Sequence, residues 1–317
     1  MNLFSYLKSI ARKVGGRDLY PQLSTQVSIL TNQVSNLELH LQKLETTLGR
    51  IENRQLERIL EYGRNLKDWE FRVFSQSGQD GIIQYLIRNI DIPQPIFVEF
   101  GVQDYREANT RFLLLNNNWS GLVMDGDAAN VAAIQQDPIY WRHDLKANCC
   151  FITAENINDL LHDRGFAGEI GLLSIDIDGN DYWVWQAITV IQPAIVICEY
   201  NFRFGCDRHV VVPYDTNFVR GEAHFSWVYY GASLPALCEL ANRKGYGFVG
   251  CNSFGNDAFF VRRDLLKPPL VEIAPAAGYV AGKFREMRDE YGEIPGFSFA
   301  DELKILKDLP VEEISGS

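Results

Sequence analysis

The stretch Ile96-Phe97-Val98-Glu99-Phe100-Gly101 (IFVEFG) is a short apolar run that carries one carboxylate and ends in a glycine. An apolar run of this length, bounded by a turn residue, is typical of a strand that is buried on both faces of a sheet. Similar runs follow at 121–126 and 170–177, with helical stretches between them. Alternating helices and apolar strands predict an α/β fold with a parallel sheet.

The last two strands of the predicted sheet, 246–251 and 256–263, are joined by a short Asn/Ser/Gly turn. No helix fits between them, so they must pair antiparallel. The other predicted elements are, in chain order, a weaker strand at 140–145, a helix at 155–164, a helix at 182–191, a fifth parallel strand at 194–200 and a helix at 234–244.

Residues 22–60 repeat apolar side chains at alternating steps of four and three, without a proline. This heptad repeat predicts a coiled coil of about four heptads. Its narrow apolar stripe favours self-association, as a dimer or a trimer, over packing on the chain's own domain. The stripe consists of Leu23, Val27, Leu30, Val34, Leu37, Leu41, Leu44, Leu48 and Ile51.

The composition limits the partners and the compartment. Hydrophobic residues make up 46% of the 317 residues, which is enough for a sizeable core, and the net charge of −11 disfavours nucleic acid as a partner. The six cysteines lack C-x-x-C spacing and the N-terminus lacks a signal peptide's apolar stretch, so we predict a cytoplasmic protein. The basic amphipathic segment at 3–14 could contact the inner face of a membrane, although a helical lead-in to the coiled coil is the favoured interpretation.

These patterns divide the chain into four parts. They are an N-terminal amphipathic segment at 1–21, a coiled-coil oligomerisation helix at 22–66, an α/β domain at 67–265 and a C-terminal tail at 266–317. Residues 201–232 break the rhythm of strands and helices with aromatic and polar side chains. We therefore interpret this insertion as part of a binding surface.

Polar residues follow each of the five predicted parallel strands. In an open α/β sheet, ligands bind beyond the carboxyl ends of the strands, so these residues predict a functional site. They are Glu99, Gly101 and Asp104, then Asp125 to Asp127, His143 and Asp144, Asp176 to Gly179, and Glu199 to Asn201.

The loop after the first strand excludes two common nucleotide sites. It holds one glycine, Gly101, where a dinucleotide-binding loop needs G-x-G-x-x-G, and the chain has no G-x-x-x-x-G-K-[ST] motif. We therefore expect a ligand without phosphates. Asp125, at the end of the second strand, can accept hydrogen bonds from both hydroxyls of a ribose, and the alternative is that it caps the next helix.

Taken together, these features resemble the class I S-adenosylmethionine (SAM)-dependent methyltransferases and, more narrowly, the FkbM-type family. The resemblance covers about residues 74–265 and implies a Rossmann-like sheet of parallel strands that ends in an antiparallel hairpin. Asp104 departs from it, since many class I enzymes have a small residue there. The segments that carry the resemblance are FSQSGQDGII (74–83), FVEFGVQDYREANTRFLL (97–114), NNWSGLVMDGD (117–127) and LLSIDIDGNDYWVWQAI (172–188).

By this resemblance the cofactor would be SAM. Glu99 and the backbone of Gly101 would face its methionine amino group, Asp125 would hold the ribose, and Asp144 or His143 would lie by the adenine. The complete set of cofactor-binding residues that we predict is Gln79, Glu99, Gly101, Asn109, Asp125, Gly126, His143 and Asp144.

The ends of the fourth and fifth strands carry the predicted acceptor site. Their oxygen ligands could hold Mg²⁺ or another divalent cation, which would lower the pKa of an acceptor hydroxyl. Without a metal, Asp178 would cap the next helix and Glu199 would bind substrate hydroxyls. A second candidate base is His224, unless it is an ordinary surface histidine. The predictions are Asp176, Asp178 and His224 as catalytic residues, Glu199, Asn201, Tyr214, Arg220 and Tyr230 as substrate-binding residues, and Asp176, Asp178, Glu199 and Asn201 as metal ligands.

We therefore predict an SAM-dependent O-methyltransferase that acts on a sugar hydroxyl in glycan or natural-product biosynthesis. The sugar preference comes from the family resemblance alone. One rival is a nicotinamide-dependent oxidoreductase, which the missing glycines and the absence of a Y-x-x-x-K motif in the helical stretches disfavour. The other rival is a non-enzymatic coiled-coil scaffold with a degenerate methyltransferase domain.

Overall fold

A single long helix occupies the region of the heptad repeat. The computed structural model describes residues 19–59, 65–294, 296 and 298–314, and helix α1 extends in it from Leu19 to Ile59. The predicted helix is thereby confirmed, and its pairing with another copy stays a prediction. The amphipathic segment predicted at 3–14 lies outside the described residues. None of the described helices combines the length and the hydropathy needed to cross a bilayer.

The chain divides into one unit at residues 1–51 and a second at residues 52–317. The second unit contains a seven-stranded sheet in the order β3-β2-β1-β4-β5-β8-β7, and a small two-stranded sheet of β6 and β9. The strands are β1 (Ile96–Phe100), β2 (Ser120–Asp125), β3 (Leu145–Cys149), β4 (Gly168–Ile175), β5 (Ile191–Glu199), β6 (Val210–Val211), β7 (Tyr246–Cys251), β8 (Asp257–Arg262) and β9 (Glu312–Glu313).

The first five strands are parallel, and β8 is antiparallel to both β5 and β7. The predicted Rossmann-like sheet of parallel strands with its terminal antiparallel hairpin is therefore confirmed. The helices of this unit are α2 (Gln79–Asn89), α3 (Arg111–Asn117), α4 (Ala128–Gln136), α5 (Pro138–Arg142), α6 (Ile157–Asp163), α7 (Asp181–Ala187), α8 (Arg220–Ala223), α9 (Leu234–Lys244), α10 (Pro275–Gly278) and α11 (Phe299–Lys307).

Two element predictions were wrong. The strand placed at 140–145 is instead the end of α5, because Asp137 caps that helix and Pro138 suits its first turn; the third strand begins at Leu145. The helix placed at 182–191 ends at Ala187, and Pro193 lies inside β5. Proline fits there because β8 pairs with β5 only from Ile195 onward, so this part of β5 has one neighbour.

The hydrophobic core lies on both faces of the large sheet. Successive residues of a strand point to opposite faces, so each strand contributes to both sides. In β1, Val98 and Phe100 pack with Trp185 of α7 and other residues on one face, whereas Phe97 packs with the cluster that contains Ile82 of α2 on the other. This double-sided burial explains the nearly continuous apolar strands of the sequence.

Part of the C-terminal segment, which we predicted as a tail, packs on the insertion at 201–232. Met287 and Leu306 are buried in a cluster with Val210, Val228 and other residues of the insertion at 201–232. Arg203, whose side chain is fully buried, pairs with Glu302 of α11 at 2.5 Å and with Glu286 at 2.9 Å. The insertion and the C-terminal segment therefore form one packed region.

We expect Glu302→Gln to lower the free energy of unfolding by about 3 kcal/mol, because it leaves a buried guanidinium with one charged partner fewer. Urea unfolding measures the change. Lys304→Ala is the control on the same helix, since the Lys304 side chain is 77% exposed, and we expect it to change stability by less than about 0.5 kcal/mol. Equal effects of the two substitutions would show that the buried pair does not hold the C-terminal segment.

Candidate active site

The carboxyl ends of β1 and β4 lie against each other at Gly101. Gly101 has a φ of +72°, and a Cβ atom added to it would lie 1.6 Å from the carbonyl oxygen of Asp176. Only glycine fits, because any side chain would push the two strand ends apart. The Gly101 amide also donates to the carbonyl of Met124 at 2.9 Å, so the same residue ties this loop to β2.

Glu99 fixes the loop that follows β1. Its carboxylate accepts hydrogen bonds from the amides of Asn109 at 2.8 Å and Thr110 at 3.0 Å, and from the Thr110 hydroxyl. Burial raises the pKa of Glu99 to about 7, although these hydrogen bonds favour the charged form. Both of its oxygens are thus engaged within the chain, so its first role is to shape the loop from 101 to 110.

Asp125, at the end of β2, organises two further segments. Its carboxylate accepts hydrogen bonds from the amide of Gln103 at 2.7 Å, the amide of Asp127 at 2.8 Å and the side chain of Asn130 at 3.0 Å. A carboxylate has about four acceptor positions, so one more donor can be accommodated. The alternative that Asp125 caps the next helix is wrong, because Asp127 caps α4 by accepting from Ala129.

Two cavities open at this edge of the sheet and share Gly101, Gln103 and Asp176. Cavity A has a volume of about 80 Å³ and is lined by amide and carboxylate groups, namely those of Gln76, Gln79, Glu99, Asn109, Asn256 and Asp257. Cavity B has a volume of about 180 Å³ and is lined by Asp125, Gly126, Cys150, Phe151, Ile152 and Phe218, among others. Six of the predicted cofactor-binding residues therefore line these two adjoining cavities, namely Gln79, Glu99, Gly101, Asn109, Asp125 and Gly126.

Three carboxylates converge beside this region. One oxygen each of Asp176, Asp178 and Glu199 lies within 4.8 Å of the other two. Glu199 is 8% exposed, and its Oε2 atom is buried without a hydrogen-bond partner in the described part of the chain. Burial first, and then repulsion between the carboxylates, raises the pKa of both Asp176 and Glu199 well above their ordinary values.

Arg220 supplies positive charge to this acidic group. Its guanidinium donates to Asp178 at 2.7 Å, contacts Glu286 at 2.7 Å and stacks 3.7 Å from the centre of the Tyr230 ring. Asp178 itself does not cap α7, as one interpretation had it; it adopts a left-handed φ of +58° and turns toward Arg220. Arg220 thus lies beside the acidic group, with the buried ring of Tyr230 beneath its guanidinium.

Asn201 has a structural position instead of a metal-binding one. Its side chain is fully buried, donates to the carbonyls of Val228 at 2.8 Å and Tyr230 at 3.1 Å, and accepts from the amide of Arg203 at 3.2 Å. These bonds tether the end of β5 to the insertion. The fourth metal ligand that we predicted is therefore committed elsewhere.

His143 and Asp144 lie at the wrong edge of the sheet for the predicted role beside an adenine. Because β3 begins at Leu145 and pairs there with Gly121 at the start of β2, both residues precede the strand. They consequently lie at the amino end of the sheet, opposite Asp125. The prediction failed because it took 140–145 as the strand itself.

Two predicted residues of the insertion make their hydrogen bonds away from both cavities. The Nδ1 atom of His224 lies 2.7 Å from the Ser226 hydroxyl, and its ring lies against Phe225. The Tyr214 hydroxyl donates to Glu155 and accepts from the amide of Ala154. Neither residue lines cavity A or cavity B. The structure therefore does not bring them together with the acidic group.

The comparisons with known proteins give matches to solved structures only. No family model matches the chain, and no curated protein matches it. Among other solved structures, the chain is similar to the following three. Each of these matches covers more than half of this chain. The N-terminal domain of EvdMO1 with SAH bound has a TM-score of 0.39 and 10% identity, over 68% of this chain and 96% of that one.

The second is an S-adenosylmethionine-dependent methyltransferase from Clostridium acetobutylicum ATCC 824, with a TM-score of 0.35 and 9% identity over 65% of this chain and 95% of that one. The third is geranyl diphosphate methyltransferase in complex with SAM, with a TM-score of 0.34 and 10% identity over 53% of this chain and 65% of that one. Identities this low concern the fold alone.

Several residues of the site were not predicted from the sequence. Phe151 would have been found if β3 had been placed at 145–149, because it follows that strand closely. Asp257 begins a strand that was expected, but the pairing of that strand with β5 was not predicted. Glu286 lies in a segment without a motif, and only the packed structure places it beside Arg220.

We expect the stability of the metal-free protein to fall as the pH rises from about 4.5 to above 7. The raised pKa values of Glu99, Asp176 and Glu199 mean that the folded chain binds protons which the unfolded chain releases in this range. Glu199→Gln should therefore stabilise the protein at pH 8 by about 1–3 kcal/mol and change it little at pH 4.5. Urea unfolding with a chelator measures both values.

Glu290→Gln is the control for this measurement, because Glu290 is an exposed glutamate outside the site. It should leave the pH dependence unchanged. If Glu199→Gln destabilised the protein at pH 8 as much as at pH 4.5, the carboxylate of Glu199 would not be an uncompensated buried charge.

Proposed function

We propose that this chain is an SAM-dependent O-methyltransferase of the FkbM type that acts on a sugar hydroxyl. The proposal is carried by the meeting of cavities A and B at Gly101 and Asp176. This is the edge at which open α/β sheets bind ligands. The two cavities differ in chemistry, since A is polar and B has an apolar wall beside a carboxylate. A ligand with an amino acid at one end and a nucleoside at the other suits this pair.

Cavity B suits the nucleoside. Asp125 has one acceptor position left for a ribose hydroxyl. Gly126 keeps the space beside it open, because a Cβ atom at this position would meet only the Phe151 ring, at 3.8 Å. Phe151 and Ile152 follow the true carboxyl end of β3, so they take the place by the adenine that His143 and Asp144 were predicted to have. An aromatic ring next to a base stabilises it by stacking.

Cavity A suits the amino-acid end. It offers the side-chain amides of Gln79 and Asn109, and the Gln79 amide donates to the carboxylate of Asp257. Carboxylates attract an ammonium group, and amides can donate to a carboxylate, so both charges of an amino acid find partners here. The backbone of Gly101 lies between the two ends, because both cavities include it.

In this proposal, the acidic group removes the proton of the acceptor hydroxyl. Bound across the two cavities, SAM would supply the methyl group. Asp176 lines both cavities, and its raised pKa makes its carboxylate a stronger base than an exposed aspartate. The remaining contribution of the chain is positioning, which supplies much of the rate of an in-line displacement. The sugar as acceptor is supported by the family resemblance of the motifs.

We expect the full-length protein to bind SAH in calorimetry and not to bind NAD. Asp125→Ala should weaken SAH binding by roughly 10- to 150-fold, because a hydrogen bond to a charged group contributes about 1.5–3 kcal/mol. Asp127→Ala is the matched control, since Asp127 caps α4 and does not line cavity B. Binding of NAD without SAH, or equal SAH affinity in the two variants, would refute the proposal.

We also propose that Asp176, Asp178 and Glu199 bind a divalent cation that assists the acceptor hydroxyl. The support is their mutual distance of at most 4.8 Å and the unpartnered, buried Oε2 atom of Glu199. Hard cations prefer carboxylate oxygens, and such a cation would offset the repulsion among the three groups. A cation bound there would lower the pKa of the acceptor hydroxyl.

Titration with Mg²⁺ should show saturable binding that tightens as the pH rises from 6 to 8, because the ligands must lose their protons first. Asp176→Asn should weaken this binding at least tenfold. Asp163→Asn, which removes an exposed carboxylate on α6, should have no effect. Absence of binding in the unmodified protein, or an equal loss in both variants, would exclude the cation while leaving the SAH result unaffected.

A further inference from the structure

The described part of α1 presents an apolar seam that has no partner within its own unit. Its residues Leu30, Val34, Leu37, Leu41, Leu44, Leu48 and Ile51 are 45–63% exposed. They follow one another at steps of three and four, so they form a single stripe along the helix. Apart from Ile29 and Leu39, the other positions from 28 to 50 are polar or glycine. An exposed stripe of large aliphatic residues is typical of a surface that another chain covers.

We infer that α1 forms a parallel, in-register coiled coil with α1 of other copies of this chain. The seam is self-complementary, because position a holds valine or leucine and position d holds leucine or isoleucine in every heptad. It extends over four heptads, from Leu23 to Ile51, which is about 42 Å at 1.5 Å per residue. The inference stands independently of the proposed catalytic function.

The charges beside the seam determine the orientation of the helices. In heptad notation, with Val27 at position a, the e positions of the second and third heptads are Glu38 and Glu45. An antiparallel pair brings the e column of one helix against the e column of the other, so these carboxylates would face each other. A parallel pair brings them against Gln33 and His40 at the g positions, which removes the like-charge contact.

The hydroxyl groups next to the seam are satisfied before any partner binds. Thr31 at an e position donates to the carbonyl of Val27 at 2.8 Å, and Thr47 at a g position donates to the carbonyl of Lys43 at 2.8 Å. Covering the flanks of the seam therefore leaves neither hydroxyl without a hydrogen bond. Neither hydroxyl therefore opposes the closing of the interface.

The first test measures the mass of the full chain by light scattering at tens of micromolar. We expect two or three times 36.1 kDa for the unmodified protein and 36.1 kDa for the double variant Leu37→Asp/Leu44→Asp. Ile29→Asp is the matched control, since Ile29 is 51% exposed but lies off the seam, and it should keep the oligomer. All six tryptophans lie after residue 60, so their fluorescence on unfolding confirms that the globular unit remains folded in each variant.

The second test reports the orientation. Val27→Cys should form a disulfide-linked dimer on oxidation, because residues at position a lie opposite each other in a parallel, in-register pair. In an antiparallel pair, residue 27 lies near residue 51 of the other helix, and the two introduced cysteines are about 36 Å apart. Ile29→Cys and the unmodified protein, which has six native cysteines, are the controls.

A single-chain mass for the unmodified protein would overturn the inference, and so would equal dissociation of the Ile29→Asp and Leu37→Asp/Leu44→Asp variants. An oligomer in which Val27→Cys links no better than Ile29→Cys would overturn the parallel orientation. Because SAH binding is measured separately, failure of either test leaves the proposed function unaffected.

Discussion

The register of β1, β4 and β5 determines where the charged groups of the candidate site lie. Phe100 pairs with Ile175, and Ile175 pairs with Cys198, so Gly101, Asp176 and Glu199 emerge side by side at one edge. A slip of one residue between two of these strands would turn the side chains of one of them to the opposite face. Gly101 protects the register, since its lack of a side chain lets the end of β1 approach the carbonyl of Asp176.

The electrostatics of this edge follow from that placement. Three carboxylates are brought together by strand pairing, and burying charges of one sign is costly unless protons or cations compensate. Arg220 compensates Asp178, but it also contacts Glu286, which in turn contacts Arg203. The positive charge is therefore shared along a chain of alternating ions. Less positive charge therefore reaches Asp176 and Glu199. This explains why their pKa values are raised and why this position suits proton transfer or a cation.

Much of this arrangement could be predicted from the sequence, because it depends on local pattern. The apolar run at 96–101 and the helix from Leu234 to Lys244 were placed correctly, as was the antiparallel pair at the end of the sheet. The third strand was placed at 140–145 instead of 145–149, because LKANC is barely apolar and lies at the edge of the sheet. That single error put the expected adenine contact at His143 and Asp144, which lie at the amino end of the sheet.

The wrong predictions among the expected substrate-binding residues have another origin, which is long-range packing. Asn201 and Tyr214 have side chains that suit a binding site, yet they hold the insertion to β5 and to the loop before α6. Glu286 and Phe218 reach the site from segments without a sequence motif. The sheet thus supplies Gly101, Asp125 and Asp176 from its own strand ends, whereas the insertion and the C-terminal segment supply the surroundings of the acidic group. Because these two sets of residues come from separate parts of the chain, the surroundings of the acidic group can change through the insertion and the C-terminal segment while Gly101, Asp125 and Asp176 stay fixed.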